Sequence, residues 1–403
     1  MATVVLLGTL DTKGREYDYL RDRLREHGVD VVLVDAGVFE PQAEADVPRE
    51  EVATAGDADV AALAEDGDRG AAVDAMGRGA AEVVRRLHEE GRLDGILCVG
   101  GSGNSSIAAQ AMRVLPVGVP KLIVSTLASG DTRPYVGAND VTMTYSVVDI
   151  SGLNRISERI LANAAGAIAG MARATLPHTD GGKALIGATM FGVTTPAVTR
   201  ARERLEEVGY EVLVFHATGT GGQSMEALAR GGFLAGVLDL TTTELADDLV
   251  GGVLSAGPDR LETAGELGLP QVVSLGALDM VNFGPRETVP EQFEGRNLYV
   301  HNPTVTLMRT TPEECAELGR RIARKLSAAT GPTALFVPLR GVSMIATEGG
   351  PFYDPEADEA LFAALRDGVG PNVEVHELDL DVNDPAFADA MADRLHELIH
   401  DAG

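Results

Sequence analysis

The segment Gly8-Thr9-Leu10-Asp11-Thr12-Lys13-Gly14 gathers a glycine, two hydroxyls, a carboxylate and a lysine in one short stretch. It follows the apolar run Val4-Val5-Leu6-Leu7 and precedes an amphipathic stretch, so it lies where a strand ends and a helix begins. Such a junction offers backbone amides to an anion, with Lys13 to neutralise it and Asp11 to cap the helix or position a divalent cation. The spacing is not that of a Walker loop, which needs Gly-x4-Gly-Lys-Ser/Thr. A second junction, Gly100-Gly101-Ser102-Gly103-Asn104-Ser105-Ser106, has the composition of a phosphate-cradling turn. It is a poor dinucleotide fingerprint, because Ser106 stands where the third glycine belongs. A third runs from Ser125 and Thr126 to Asp131 and Arg133: Arg133 could clamp a phosphate and Asp131 hold a cation, or the two could pair on the surface.

The second half of the chain repeats this chemistry. His216-Ala217-Thr218-Gly219-Thr220-Gly221-Gly222 leads to Glu226, and Asp239 leads through three threonines to Glu244. Asp279, His301 and Arg340-Gly341-Val342-Ser343 follow further strand candidates. Lys13, Asp131, Glu226 and Asp239 are the catalytic candidates, with Asp11 and Asp131 as magnesium ligands. His216 and His301, at strand ends, are better placed for chemistry than His396 and His400 on a terminal helix. Cys98 sits within an apolar strand and is expected to be inert core.

The elements that position these loops read as α/β. Tyr17, Leu20 and Leu24 give one helical face, Gly28 stops it, and Val31-Val32-Leu33-Val34 is the next strand. The same order returns at Ala184-Leu185-Ile186-Gly187, a helix from Thr199 to Val208, Gly209, and Val212-Leu213-Val214-Phe215. Further matches pair Gly95-Ile96-Leu97 with Gly236-Val237-Leu238, and Pro120 to Ser125 with Pro270 to Ser274. These predict two Rossmann-like, doubly wound parallel-sheet domains of similar topology facing a cleft, at about 1–178 and 183–403. The linker is expected at 176–182, after one long helix from Ile150 to Thr175. Residues 37–79 look like an acidic surface insertion in the first domain. Later strands are expected at 298–300, 335–337 and 373–375, with helices near 312–328, 356–367 and 385–400.

Composition removes several classes. With 61 acidic against 33 basic residues the formal charge is −28, so the positive field of a nucleic-acid binder is missing. Two cysteines make no disulfide framework or cysteine zinc cluster. No apolar run reaches membrane-spanning length and the N-terminus lacks a basic leader, so a cytoplasmic protein is expected.

Taken together and in order, Gly8 to Gly14, Gly100 to Asn104, Ser125 to Asp131, His216 to Gly222 and Arg340 to Ser343 resemble the signatures of the Tm-one-like ATP-binding family. The likeness covers nearly the whole chain. It implies a two-lobed module that binds ATP with Mg2+ and forms a homodimer. Plant members of that family continue into a barrel domain related to phosphoenolpyruvate hydrolases, so a separate partner of that type is expected. An ATP-using enzyme acting on a small carboxylate or carbonyl substrate and a non-catalytic module whose ATP state controls a protein interface are both compatible with the likeness.

Overall fold

The computed structural model describes residues 1–175 and 182–402. Most of the expected linker, 176–181, lies outside the described residues. The chain divides into two compact units, Met1–His178 and Thr179–Gly403.

Unit 1 runs β1 (Thr3–Gly8), α1 (Leu10–Glu26), β2 (Asp30–Asp35), α2 (Arg49–Ala55), α3 (Val60–Asp66), α4 (Arg69–Glu89), β3 (Gly95–Gly100), α5 (Ser102–Arg113), β4 (Lys121–Ser125), α6 (Arg133–Val136), β5 (Val141–Tyr145) and α7 (Ser157–Ala172). Its sheet is wholly parallel, in the order β2-β1-β3-β4-β5. Val4 to Leu7 are fully buried, as a strand covered on both faces requires. Tyr17, Leu20 and Leu24 bury the inner face of α1, which ends at Gly28 with φ +72°. Register aligns the strand tips: Gly8 lies beside Asp35, Gly100 beside Ser125, and Ser125 beside Tyr145.

Two local expectations change. The helix expected from Ile150 begins at Ser157, because Asn154 Oδ1 accepts the amides of Ile156 and Ser157 and fixes the start there. The stretch 37–79 is only partly an insertion. Its last third opens α4, the crossover helix between β2 and β3, whose Gly79 lies so close to α2 that an added Cβ would stand 1.9 Å from the Val52 carbonyl oxygen.

Unit 2 runs β6 (Leu185–Met190), α8 (Thr195–Glu207), β7 (Glu211–His216), α9 (Thr220–Arg230), β8 (Leu234–Thr241), α10 (Glu244–Val250), α11 (Thr263–Glu266), β9 (Gln271–Gly276), β10 (Met280–Phe283), β11 (Leu298–Asn302), β12 (Val305–Arg309), α12 (Pro312–Ser327), β13 (Thr333–Pro338), α13 (Pro355–Gly368), β14 (Val373–Leu378) and α14 (Pro385–Ala402). The parallel sheet β7-β6-β8-β9-β13-β14 repeats the order of unit 1 and adds one strand. The expected strand at 298–300 belongs instead to a separate antiparallel sheet, β10-β12-β11. Both units are Rossmann-like α/β domains. Among the described residues no helix is long and apolar enough to cross a membrane.

Gly8 is a packing glycine: a Cβ there would fall 2.0 Å from the Tyr17 ring. The Tyr17 hydroxyl donates to the Leu7 carbonyl at 2.6 Å and accepts the Val99 amide at 2.9 Å, tying β1 to β3. Gly8→Ala is expected to lower unfolding free energy by about 1–3 kcal/mol through overpacking, read by urea denaturation.

Candidate functional site

The strand order of unit 1 reverses between β1 and β3, since β1 leads outward to β2 while β3 leads to β4 and β5 on the other side. Such a switch point opens a crevice beyond the carboxyl ends of the strands. A cavity of about 480 Å3 lies there, within the range of small-molecule sites. Thr9, Asp11, Thr12 and Lys13 line it after β1, Ala36 to Phe39 after β2, and Gly101 to Asn104 after β3.

Part of the cavity lining is polar. Gly101 begins α5 without a side-chain cap, and the amides of Ser102, Gly103 and Asn104 donate to nothing among the described residues. Asn104 is 5 % exposed; its Nδ2 donates to the Val99 carbonyl at 2.8 Å, while Oδ1 is buried without a partner. Lys13 leaves helical geometry, with φ −130° and ψ 16°, and kinks α1. Its Nζ donates to the Ile150 carbonyl at 2.5 Å and meets no carboxylate among the described residues.

Asp11 does not cap α1. Its Oδ2 accepts the Val38 and Phe39 amides at 3.2 and 3.1 Å, and its Oδ1 is buried without a partner. The carboxylate thus ties the β1 loop to the β2 loop. Asp35, at the tip of β2, braces the same corner by accepting the Leu10 and Gly37 amides at 3.1 and 2.9 Å, and burial pushes its carboxyl above the usual range. No cluster of three or more metal-ligating side chains occurs among the described residues. Asp11 is the one expected cation ligand that lines the cavity.

Leu63, Val73, Met76 and Ile107 are the apolar part of the lining, with Val73 close beside Gly103, and Phe39 is exposed. Gly67, Asp68, Arg69, Ala72 and Asp149 complete the lining. Sequence reasoning missed the lining residues from Phe39 to Met76, because they sit in the stretch read as a surface insertion. Asp35 did carry a signal, an acid at a strand tip.

Several expected residues lie elsewhere. Gly100 faces Asn104 rather than the cavity, with 2.5 Å between an added Cβ and the Asn104 Cβ. Ser125 is buried and bonded to Ser105 at 2.8 Å, and Thr126 donates its amide to the Gly100 carbonyl. Asp131 and Arg133 form an exposed bidentate pair, 2.9 and 2.7 Å, which holds Asp131 down to about 2. Neither lines the cavity. Arg340 is likewise an exposed partner of Asp379, and Gly341 serves a turn at φ +138°. Cys98 is buried core, its thiol pushed up to about 12 by desolvation.

The glycine loop of unit 2 has a different fate. The Gly219 and Gly222 amides donate to Glu244 Oε1 at 2.7 and 3.1 Å. Arg260, 1 % exposed, donates to Glu244 at 2.6 Å and grips Asp239 with both terminal nitrogens at 2.5 and 2.7 Å. Glu226 accepts the Leu261 amide and the Thr263 hydroxyl at 2.7 and 3.1 Å. Gly221 packs against the His216 carbonyl, and Thr218 turns its hydroxyl back onto the same oxygen. The anion this loop holds is therefore the chain's own carboxylate, and Glu226 and Asp239 are committed to a buried ion cluster.

Two family descriptions match the chain, "Uncharacterised protein family (UPF0261) N-terminal domain" over residues 2–177 and "Uncharacterised protein family (UPF0261) C-terminal domain" over 183–399. The chain belongs to the UPF0261 family. A UPF0261 protein of Clostridium tetani is 55 % identical over 97 % of this chain and 98 % of its own length. The tomato protein "ToMV resistance protein Tm-1(GCR237)" is 41 % identical over 98 % of this chain, which spans only 55 % of that longer protein. These relatives bear out the Tm-one-like resemblance. Among solved structures, a putative UDP-N-acetylglucosamine 2-epimerase from Listeria monocytogenes aligns over 93 % of this chain and 99 % of its own, at 11 % identity and a TM-score of 0.26. That likeness is too distant to inform the site.

Proposed function

We propose that unit 1 binds a nucleotide, ATP with Mg2+, in the cavity at the β1/β3 switch point. The observation that carries this reading is one cavity whose lining joins three unpartnered α5 amides and Lys13 with a set of apolar side chains. The amides and ammonium suit the phosphates, and Leu63, Val73, Met76 and Ile107 suit a flat base. Mg2+ commonly uses one or two carboxylates plus phosphate oxygens, so Asp11 Oδ1 fits that task alone; Asp131 does not reach it. One nucleotide per chain is expected, because the glycine-rich loop of unit 2, which follows β7, is filled by Glu244.

Calorimetric titration tests the reading. Mg-ATP is expected to bind the full chain with a stoichiometry near one, and Lys13→Met to weaken it about tenfold or more through loss of a charge-assisted contact. Asp11→Asn should keep the fold and lose the dependence on Mg2+. Absence of nucleotide binding at millimolar concentration overturns the proposal.

In the enzymatic form of this reading, bound ATP acts on a small carboxylate or carbonyl substrate, and phosphate or AMP release with pools of such compounds measures it. The rival form is a non-catalytic module. It is favoured by the outer wall of the cavity, where Phe39, Leu63 and Gly67 belong to a largely exposed stretch that a ligand would touch directly. Binding without turnover in any pool selects it. A cytoplasmic homodimer and a separate partner related to phosphoenolpyruvate hydrolases complete the proposal, tested by light scattering and co-purification.

A further inference from the structure

Between β5 and α7 the backbone adopts a turn that its own side chain disfavours. Val147 has φ +62°, and the Val148 amide donates back to the Ser146 carbonyl at 2.7 Å. This is the positive-φ form of the γ-turn, rare and strained, with a β-branched residue at its centre. The Val147 side chain is 61 % exposed, so no core contact offsets the strain.

The surroundings hold the turn from both sides. Upstream, Ser146 is buried, its amide donates to the Ser125 carbonyl at 3.2 Å and its hydroxyl to the Val148 carbonyl at 2.7 Å. Downstream, Ile150 is buried and the Gly152 amide donates to the buried Glu16 of α1 at 2.6 Å. Strain of this kind persists only where neighbours over-determine it, and it concentrates at functional sites.

Two groups follow the turn immediately. Asp149 lines the cavity with its carboxylate folded onto the Ile150 amide at 2.9 Å, and the Ile150 carbonyl accepts the Lys13 ammonium. The only hydrogen bond of that ammonium among the described residues therefore depends on where the turn sets residue 150.

We propose that Val147 is a positioning residue: its strained turn fixes Asp149 and the Ile150 carbonyl so that Lys13 is held in place on the wall of the unit 1 cavity. The inference rests on the reading of that cavity as a nucleotide site, but its geometric part can be measured without ligand. Glycine at 147 removes the steric restriction and lets the segment wander, whereas asparagine tolerates positive φ and keeps a side chain.

The test compares wild type, Val147→Gly and Val147→Asn in the full chain by two readouts. Amine acylation mapped by peptide mass spectrometry reports Lys13 against the exposed Lys183; Lys121 and Lys325 are buried. Mg-ATP titration reports affinity. The glycine variant is expected to label several-fold faster at Lys13 and to bind Mg-ATP several-fold more weakly, with no drop in melting temperature. The asparagine variant should sit near wild type in both. Unchanged Lys13 labelling in the glycine variant overturns the proposal, whether or not affinity or melting temperature falls. Faster labelling in a protein whose wild type binds no nucleotide supports the positioning role and overturns the nucleotide reading alone.

Discussion

Arg260→Leu is expected to lower the stability of unit 2 by about 3–5 kcal/mol, the cost of stripping a buried cation from its carboxylates. Asp239, Glu244 and Glu226 all face the Arg260 guanidinium, and Asp239 and Glu244 are almost wholly buried. Without it, three acids would share one dry site, and ionising more than one would be strongly opposed. The loss should therefore shrink as pH falls and the acids take up protons. Denaturant titration at pH 8 and pH 5 checks both magnitude and direction; a loss below about 1 kcal/mol at pH 8 would mean that the cluster is not the keystone its burial implies. A companion variant, Glu244→Ala, leaves the Gly219 and Gly222 amides facing an open seat. Acetate or phosphate should restore part of its stability and have little effect on wild type.

The whole chain is expected to melt at a higher temperature near pH 5 than near pH 8. Desolvation pushes Asp247 up to about 7 and Asp279 up to about 6, both above their unfolded value of 3.8. Between those limits the native state keeps protons that the unfolded chain has released, so stability is present at low pH and falls as pH rises through 7. At about 1.4 kcal/mol per unit, the two groups together carry several kcal/mol. Exposed pairs such as Asp131 with Arg133 pull the opposite way, but solvent screens them. Asp247→Asn isolates the effect from the general repulsion of a chain at −28. Asn282 Oδ1 is buried without a partner and can turn to accept from the new amide, so this variant should melt with a flatter pH profile. A profile as steep as that of wild type would assign the effect elsewhere.

Much of the fold is legible because local physics sets it. The spacing of Tyr17, Leu20 and Leu24 fixes the buried face of α1, and Gly28 and Gly209, at φ +72° and +107°, end α1 and α8 as helix-stopping glycines do. Eight expected binding residues, Thr9, Asp11, Thr12, Lys13 and Gly101 to Asn104, line one cavity because strand register brings the two loops to the same end of the sheet. The start of α7 and the sheet that holds β11 were not legible, since the first is set by one side-chain contact at Asn154 and the second by antiparallel pairing with β12, and apolar periodicity specifies neither.

Periodicity and the order of strand tips in the sequence determined two sister parallel sheets, their glycine-rich crests and membership of the UPF0261 family. Only the tertiary structure decided which crest stays open. The loops at Gly101 and Gly219 have the same chemistry, but Glu244 and Arg260, remote in sequence, close the second, while α4 and the loop after β2 wall the first into a cavity. A glycine amide binds whichever anion folding brings nearest, and that neighbour is set by packing between distant segments rather than by the loop itself.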